Sequence, residues 1–149
     1  MRFITIYFLV IFVAKFSFCP TYPRMVAHLS YDGQHDKTKI LDSLRTIIEN
    51  DGFAIKEYIR EDGFLSTDYK TYDWGTGRRL LAVAIHINDK ITITGMGKMD
   101  IPVSSIGSSS DILKLKTVDR LPYSIQKKTF LLLIDSFRNA GYNDINHWP

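Results

Sequence analysis

The densest group of interaction-prone side chains in this 149-residue chain is "YDWGTGRR", Tyr72–Arg79. It sets two aromatic rings, Tyr72 and Trp74, and two guanidiniums, Arg78 and Arg79, around two glycines. Trp and Arg are enriched where proteins bind partners, because each joins a large contact area to a polar handle. On a hairpin tip, glycines also let the backbone approach an opposing surface closely. Tyr72, Trp74, Arg78 and Arg79 are therefore the candidate partner-binding residues. The alternative is that Trp74 folds back over the sheet edge and the arginines are only solvated.

The groups that usually carry catalysis are present but poorly arranged. His28, His35, His86 and His147 are scattered without ligand spacing, so neither metal nor cofactor is expected. The only thiol is Cys19, and no G-x-S-x-G elbow occurs. "GMGKMD" (Gly95–Asp100) lacks the phosphate-loop spacing and reads as a strand-ending turn. Glu61 and Asp62 flank a turn glycine, where both should be solvated. Acid–base work requires a carboxyl whose pKa burial has raised.

Cys19 belongs to a different feature. Arg2 precedes an unbroken apolar run, "FITIYFLVIFVA" (Phe3–Ala14), which Lys15 interrupts. As a helix it would span roughly 18 Å, against about 30 Å of bilayer hydrocarbon. That length suits an export signal over residues 1–19 better than a spanning helix. Three readings of Cys19 stay open. It could be acylated as a lipoprotein N-terminus, with Ser17 in a suitable position. It could be the last residue of a cleaved leader, or an incidental residue of a retained anchor. An unpaired cysteine in an exported protein calls for a reason, and acylation would supply one together with membrane attachment. The expected location is the bacterial cell envelope, as an outer-membrane lipoprotein or a periplasmic protein, with secretion as the alternative.

Charge narrows the partners. Without Arg2 and Lys15 the 19 basic residues fall to 17, against 16 acidic ones, and the two signs are interspersed. Nucleic acid is not an expected partner, since phosphate binding needs a concentrated basic face. Residues 20–25 read as a Pro-containing linker and 26–149 as one α+β domain.

The elements that must position the candidate residues follow from periodicity. "MVAHLS" alternates and predicts a first strand ending at Asp32-Gly33. Asp36 stands at an N-cap position before Ile40, Leu41, Leu44, Ile47 and Ile48, which recur at helical spacing. Arg45 can pair with Asp42 and Glu49 on the outer side. Gly52 suits the left-handed position past the helix end, with Phe53 closing the contact. Strands are then expected over Phe53–Arg60, with Phe53, Ile55 and Ile59 on one side, and over Phe64–Trp74, after an Asp62-Gly63 turn. Two more are expected over Arg78–Ile87 and Ile91–Gly97. Leu81, Val83, Ile85 and Ile87 face one way; Leu80, Ala82, Ala84 and His86 face the other. After the Ser-rich stretch Ser104–Asp111, Pro122 opens a second helix that runs to Gly141, with Phe130, Leu133, Ile134 and Phe137 as its core stripe. Leu131 and Leu132 widen that stripe, for packing on two sides or for a partner. The expected order is β-α-β-β-β-β-α, an antiparallel sheet with two helices packed on one face.

Asn50–Tyr69 and Gly77–Gly95 together resemble small bacterial envelope lipoproteins with a BamC-like helix-grip domain. In these a helix ending in Gly-[Phe/Tyr] leads into strands bearing a "GFIST"-like run. The resemblance covers about half of the chain and implies a non-enzymatic, envelope-associated interaction module, with an envelope protein as partner. The alternatives are a small hydrolase or transferase with an unrecognised site, or a purely structural envelope protein.

Overall fold

The structure is a computed structural model that describes residues 25–31, 36–73, 77–103 and 114–146. Its elements are β1 (Val26–Ser30), α1 (Lys37–Asn50), β2 (Ile55–Ile59), β3 (Phe64–Thr67), β4 (Lys70–Asp73) and β5 (Arg78–Ile87). β6 (Ile91–Val103), β7 (Lys114–Val118), α2 (Tyr123–Asn139) and β8 (Asn143–Asp144) follow. The α+β class and the antiparallel sheet are those expected from the sequence, but among the described residues the sheet has eight strands, six of them in the order β2-β3-β5-β6-β1-β8. The two long strands, β5 and β6, carry the rest: β4 extends the sheet beside β5, and β7 beside β6.

Both helices start and stop as their sequences dictate. The Asp36 carboxylate accepts the Thr38 N–H at 3.1 Å, satisfying one of the orphan donors of the first turn of α1. Past its end, Gly52 takes φ +80°, Phe53 donates to the Ile48 carbonyl, and the Phe53 ring is buried. α2 ends by the same device, with Gly141 at φ +96° and the Tyr142 N–H on the Phe137 carbonyl. The partners of Asp42 differ from those expected. Arg45 pairs with Glu49 at 2.9 Å, while Asp42 takes Arg60 at 2.9 Å and the Tyr58 hydroxyl, tying α1 to β2.

The core forms along one face of the sheet. Register places Leu65, Ile85, Ile93 and Ala27 in one row and Ile87, Ile91 and Leu29 in the next. These side chains share one buried cluster with Leu41, Leu44 and Ile48 of α1 and Phe130, Ile134 and Phe137 of α2. Met25, assigned to the linker from sequence, also belongs to this cluster, and its carbonyl accepts the Gly95 N–H at 2.7 Å.

Four expectations about the strands are corrected. The run Phe64–Trp74 is two strands, because Thr67 turns its hydroxyl to the buried Val83 N–H at 2.9 Å where the ladder would otherwise continue. "GMGKMD" is not a turn but the middle of β6. A Cβ at Gly95 would lie 2.8 Å from the Phe130 ring, and one at Gly97 would lie 2.4 Å from Leu121 Cγ. Those glycines exist to let α2 and its entry residue approach the sheet. In β2 the register shifts between Ile55 and Glu57, so Tyr58 faces the core beside Leu65 and Ile59 turns outward, 43 % exposed. Finally, β7 and β8 complete the sheet where only loop and chain end were expected.

Candidate functional site

Tyr72, Arg78 and Arg79 do not share one surface. Tyr72 and Asp73 close β4, Arg78 and Arg79 open β5, and cross-strand register pairs Tyr72 with Arg79 and Asp73 with Arg78. Successive strand residues point to opposite faces. Tyr72 and Arg79 therefore share the helix-side face with Leu81, while Arg78 lies on the other. Trp74 lies outside the described residues.

Tyr72 is half-buried, with Lys70 Nζ 5.0 Å from its ring centroid. Burial, and after it the Asp51 carboxylate, pushes its phenol up to about 12. Lys70 meanwhile donates to the Asp51 carbonyl at the C-terminal end of α1. Arg79 is half-buried too, and its Nη1 donates to the Gly77 carbonyl at 2.7 Å. These two residues are corrected from an exposed tip to a packed arm of the sheet. Their spacing in sequence suggested a hairpin tip, but the ladder runs closer to the turn than expected.

Arg78 keeps an exposed position, with its side chain 66 % accessible. It donates to Asp100 at 3.0 Å, and the Thr117 hydroxyl donates to the same carboxylate at 2.8 Å. Asp100 is only 4 % exposed, so this charge is paired rather than stranded. The Thr117 hydroxyl bond, and next the Arg78 guanidinium, hold its carboxyl below the usual carboxylate range.

That pair closes one end of a larger feature, the second face of the sheet. Register aligns Ile59, Phe64, His86, Thr92 and His28 across five strands, and Glu57, Ser66, Ala84, Thr94 and Val26 in the row beside them. Ala82 faces Met96 in the following row, and Leu80 faces Lys98 in the one after. The middle of this surface is made of small side chains. Its margins carry Ile59, Tyr69 and Met96, each at least 40 % exposed. Phe64 meets His86 edge-on at 6.4 Å, Lys98 Nζ stands 4.8 Å over the Tyr69 ring, and His28 Nδ1 lies 3.2 Å from the Thr92 hydroxyl. The alternation of Leu80, Ala82, Ala84 and His86 was the sequence signal for this face. Its width, set by strands far apart in the chain, was not legible there.

Two features bear on other chemistries. A cleft of about 480 Å³ opens between the end of β1, Ile40 of α1 and the turn after α2, lined by Ser30, Tyr31, Gly141 and Tyr142 among others. Tyr31 and Ser30 already spend their hydroxyls on the carbonyls of Asn88 and Asn143. Among the described residues, no group of three or more His, Cys, Asp or Glu is placed to hold a metal ion. Likewise, no helix among them is long and apolar enough to cross a membrane. Compared with models of known protein families and with curated protein sequences, the chain matches neither a family nor a relative.

Proposed function

We propose that this protein is an exported, membrane-tethered module of the bacterial envelope that binds a partner protein on the open face of its sheet. The observation that carries the reading is the face itself. Five strands wide, it spans about 19 Å at the usual strand spacing. It combines a floor in which Ala84 and Thr94 are partly exposed beside the buried Ser66 and Ala82, with margins of Ile59, Phe64, Tyr69 and Met96. Small floor residues allow another backbone close approach, and aromatic and Met side chains at the margin supply adaptable apolar contact. A broad, shallow surface of this kind suits a protein segment better than a small molecule, which needs an enclosing pocket.

The leader supports the location: an apolar run of export-signal length, followed by Cys19 as the candidate lipid-attachment point. The resemblance to helix-grip envelope lipoproteins points the same way. Two measurements test the proposal. Intact-mass analysis of protein from a membrane fraction should give a chain beginning at an acylated Cys19, and an unmodified thiol there would remove the lipoprotein form of the tether. Met96→Asp and Ala84→Arg should each weaken partner binding by about 1–3 kcal/mol without altering the fold. Unchanged binding in both variants would move the site elsewhere.

A further inference from the structure

Met25, the first residue described, lies beside the N-terminal half of α2. A Cβ at Gly95 would meet both Met25 (2.9 Å) and Phe130 (2.8 Å), and one at Gly97 would meet both Leu121 (2.4 Å) and Met25 Cε (3.1 Å). Met25 is thus lodged between Leu121 and Phe130. The outward side of the same helix has an unusual composition. Between Asp119 and Asp135 the chain carries Arg120, Lys127 and Lys128 and no carboxylate. Lys127 and Lys128 are exposed, and Lys127 Nζ stands 5.0 Å over the ring of Tyr123, itself 39 % exposed. One turn beyond Lys128, Leu132 is 60 % exposed, more than any other large apolar residue described.

We infer that the outward half of α2, with Tyr123 and Lys127 on one flank and Lys128 and Leu132 on the other, rests on an anionic lipid surface and orients the domain at the membrane. The inference rests on the tether proposed above. A chain anchored ahead of Met25 holds this helix nearer the bilayer than any element at the far end of the sheet. The residue types suit that position. Lysines are attracted to anionic headgroups within a screening length, a tyrosine sits well at the headgroup level, and a leucine can dip below it. The helix layer would then face the lipid while the open face of the sheet, on the opposite side, is turned away from it and accessible to a partner.

The test uses the full chain reconstituted into vesicles of phosphatidylcholine alone, or with about 30 mol% phosphatidylglycerol to supply a negative surface potential. Vesicles are floated, exposed lysines are acetylated briefly, and each site is quantified by mass spectrometry. Lys127 and Lys128 should react at least about threefold more slowly on anionic than on neutral vesicles. Lys90, exposed in the turn between β5 and β6, should react equally on both. Raising salt to about 0.5 M should erase the difference, because the attraction is screened. Lys127→Glu with Lys128→Glu should expose Tyr123 to surface labelling equally on both vesicles. Equal lysine rates in flotation-positive samples overturn the inference alone. Protection that is the same on neutral vesicles also overturns it, pointing to a protein contact such as a second copy. Failure of the chain to float removes the tether, and the inference with it.

Discussion

The Thr67 hydroxyl oxygen accepts the Val83 N–H at 2.9 Å, deep in the sheet, where β3 ends and β4 has not yet begun. A side chain here does the work of a ladder bond and lets the strand break without orphaning a buried donor. Thr67→Val keeps the shape and removes the acceptor, so it should cost about 1–3 kcal/mol in denaturant melts. Thr67→Ser should retain most of that stability. Equal losses for the two variants would mean that packing of the methyl, not the hydrogen bond, matters at this site.

The approach of α2 to β6 gives a second test. A methyl at Gly95 would sit 2.8 Å from the Phe130 ring and 2.9 Å from Met25 Cβ. Gly95→Ala should therefore destabilise by about 1–3 kcal/mol through overpacking. Adding Phe130→Leu should recover part of the loss, making the pair non-additive. Strict additivity would place Phe130 away from Gly95.

Leu44 and Phe137 anchor the two helices in the common core, and each is fully buried. Leu44→Ala and Phe137→Ala should each cost about 2–5 kcal/mol, as expected for emptied core positions. Losses under about 1 kcal/mol for both would contradict the helix faces described above.

Tyr72 predicts a pH dependence. Its folded-state pKa, raised to about 12 by burial and then by Asp51, exceeds the ordinary value of 10.0. The fold holds the neutral phenol, so this contribution is complete below the ordinary value and is lost as pH rises through the folded one. Tyr72→Phe should flatten the part of the stability decline between about pH 10 and 12 that Tyr72 contributes. Identical declines in the two proteins would show that the ring is not held away from solvent.

Legibility from sequence followed locality. The first helix could be read closely, because Asp36, the Ile/Leu stripe, Gly52 and Phe53 act within one stretch of chain. The β5–β6 hairpin was equally clear, since Leu81, Val83, Ile85 and Ile87 alternate without interruption. What failed depended on distant partners. Gly95 and Gly97 looked like turn residues until Phe130 and Leu121 supplied the reason for them. Ile59 changed faces because of a one-residue bulge that leaves no mark on the hydrophobic pattern. In the candidate site, Arg78 kept its exposed place, whereas Tyr72 and Arg79 went to the packed side because strand alternation separates neighbours. The open face could be glimpsed only along β5, because its other residues come from four more strands.

Site-specific photo-crosslinking in the producing cell tests the central claim most directly. A photoreactive residue replacing Met96 should trap a discrete protein adduct in the envelope fraction, and one replacing Phe64 should trap the same adduct. The same reagent at Lys90, in the exposed turn between β5 and β6, should not. A shared adduct at the two open-face positions is the result this account predicts. Adducts absent from both, or formed equally at Lys90, would contradict a binding role for the open face of the sheet.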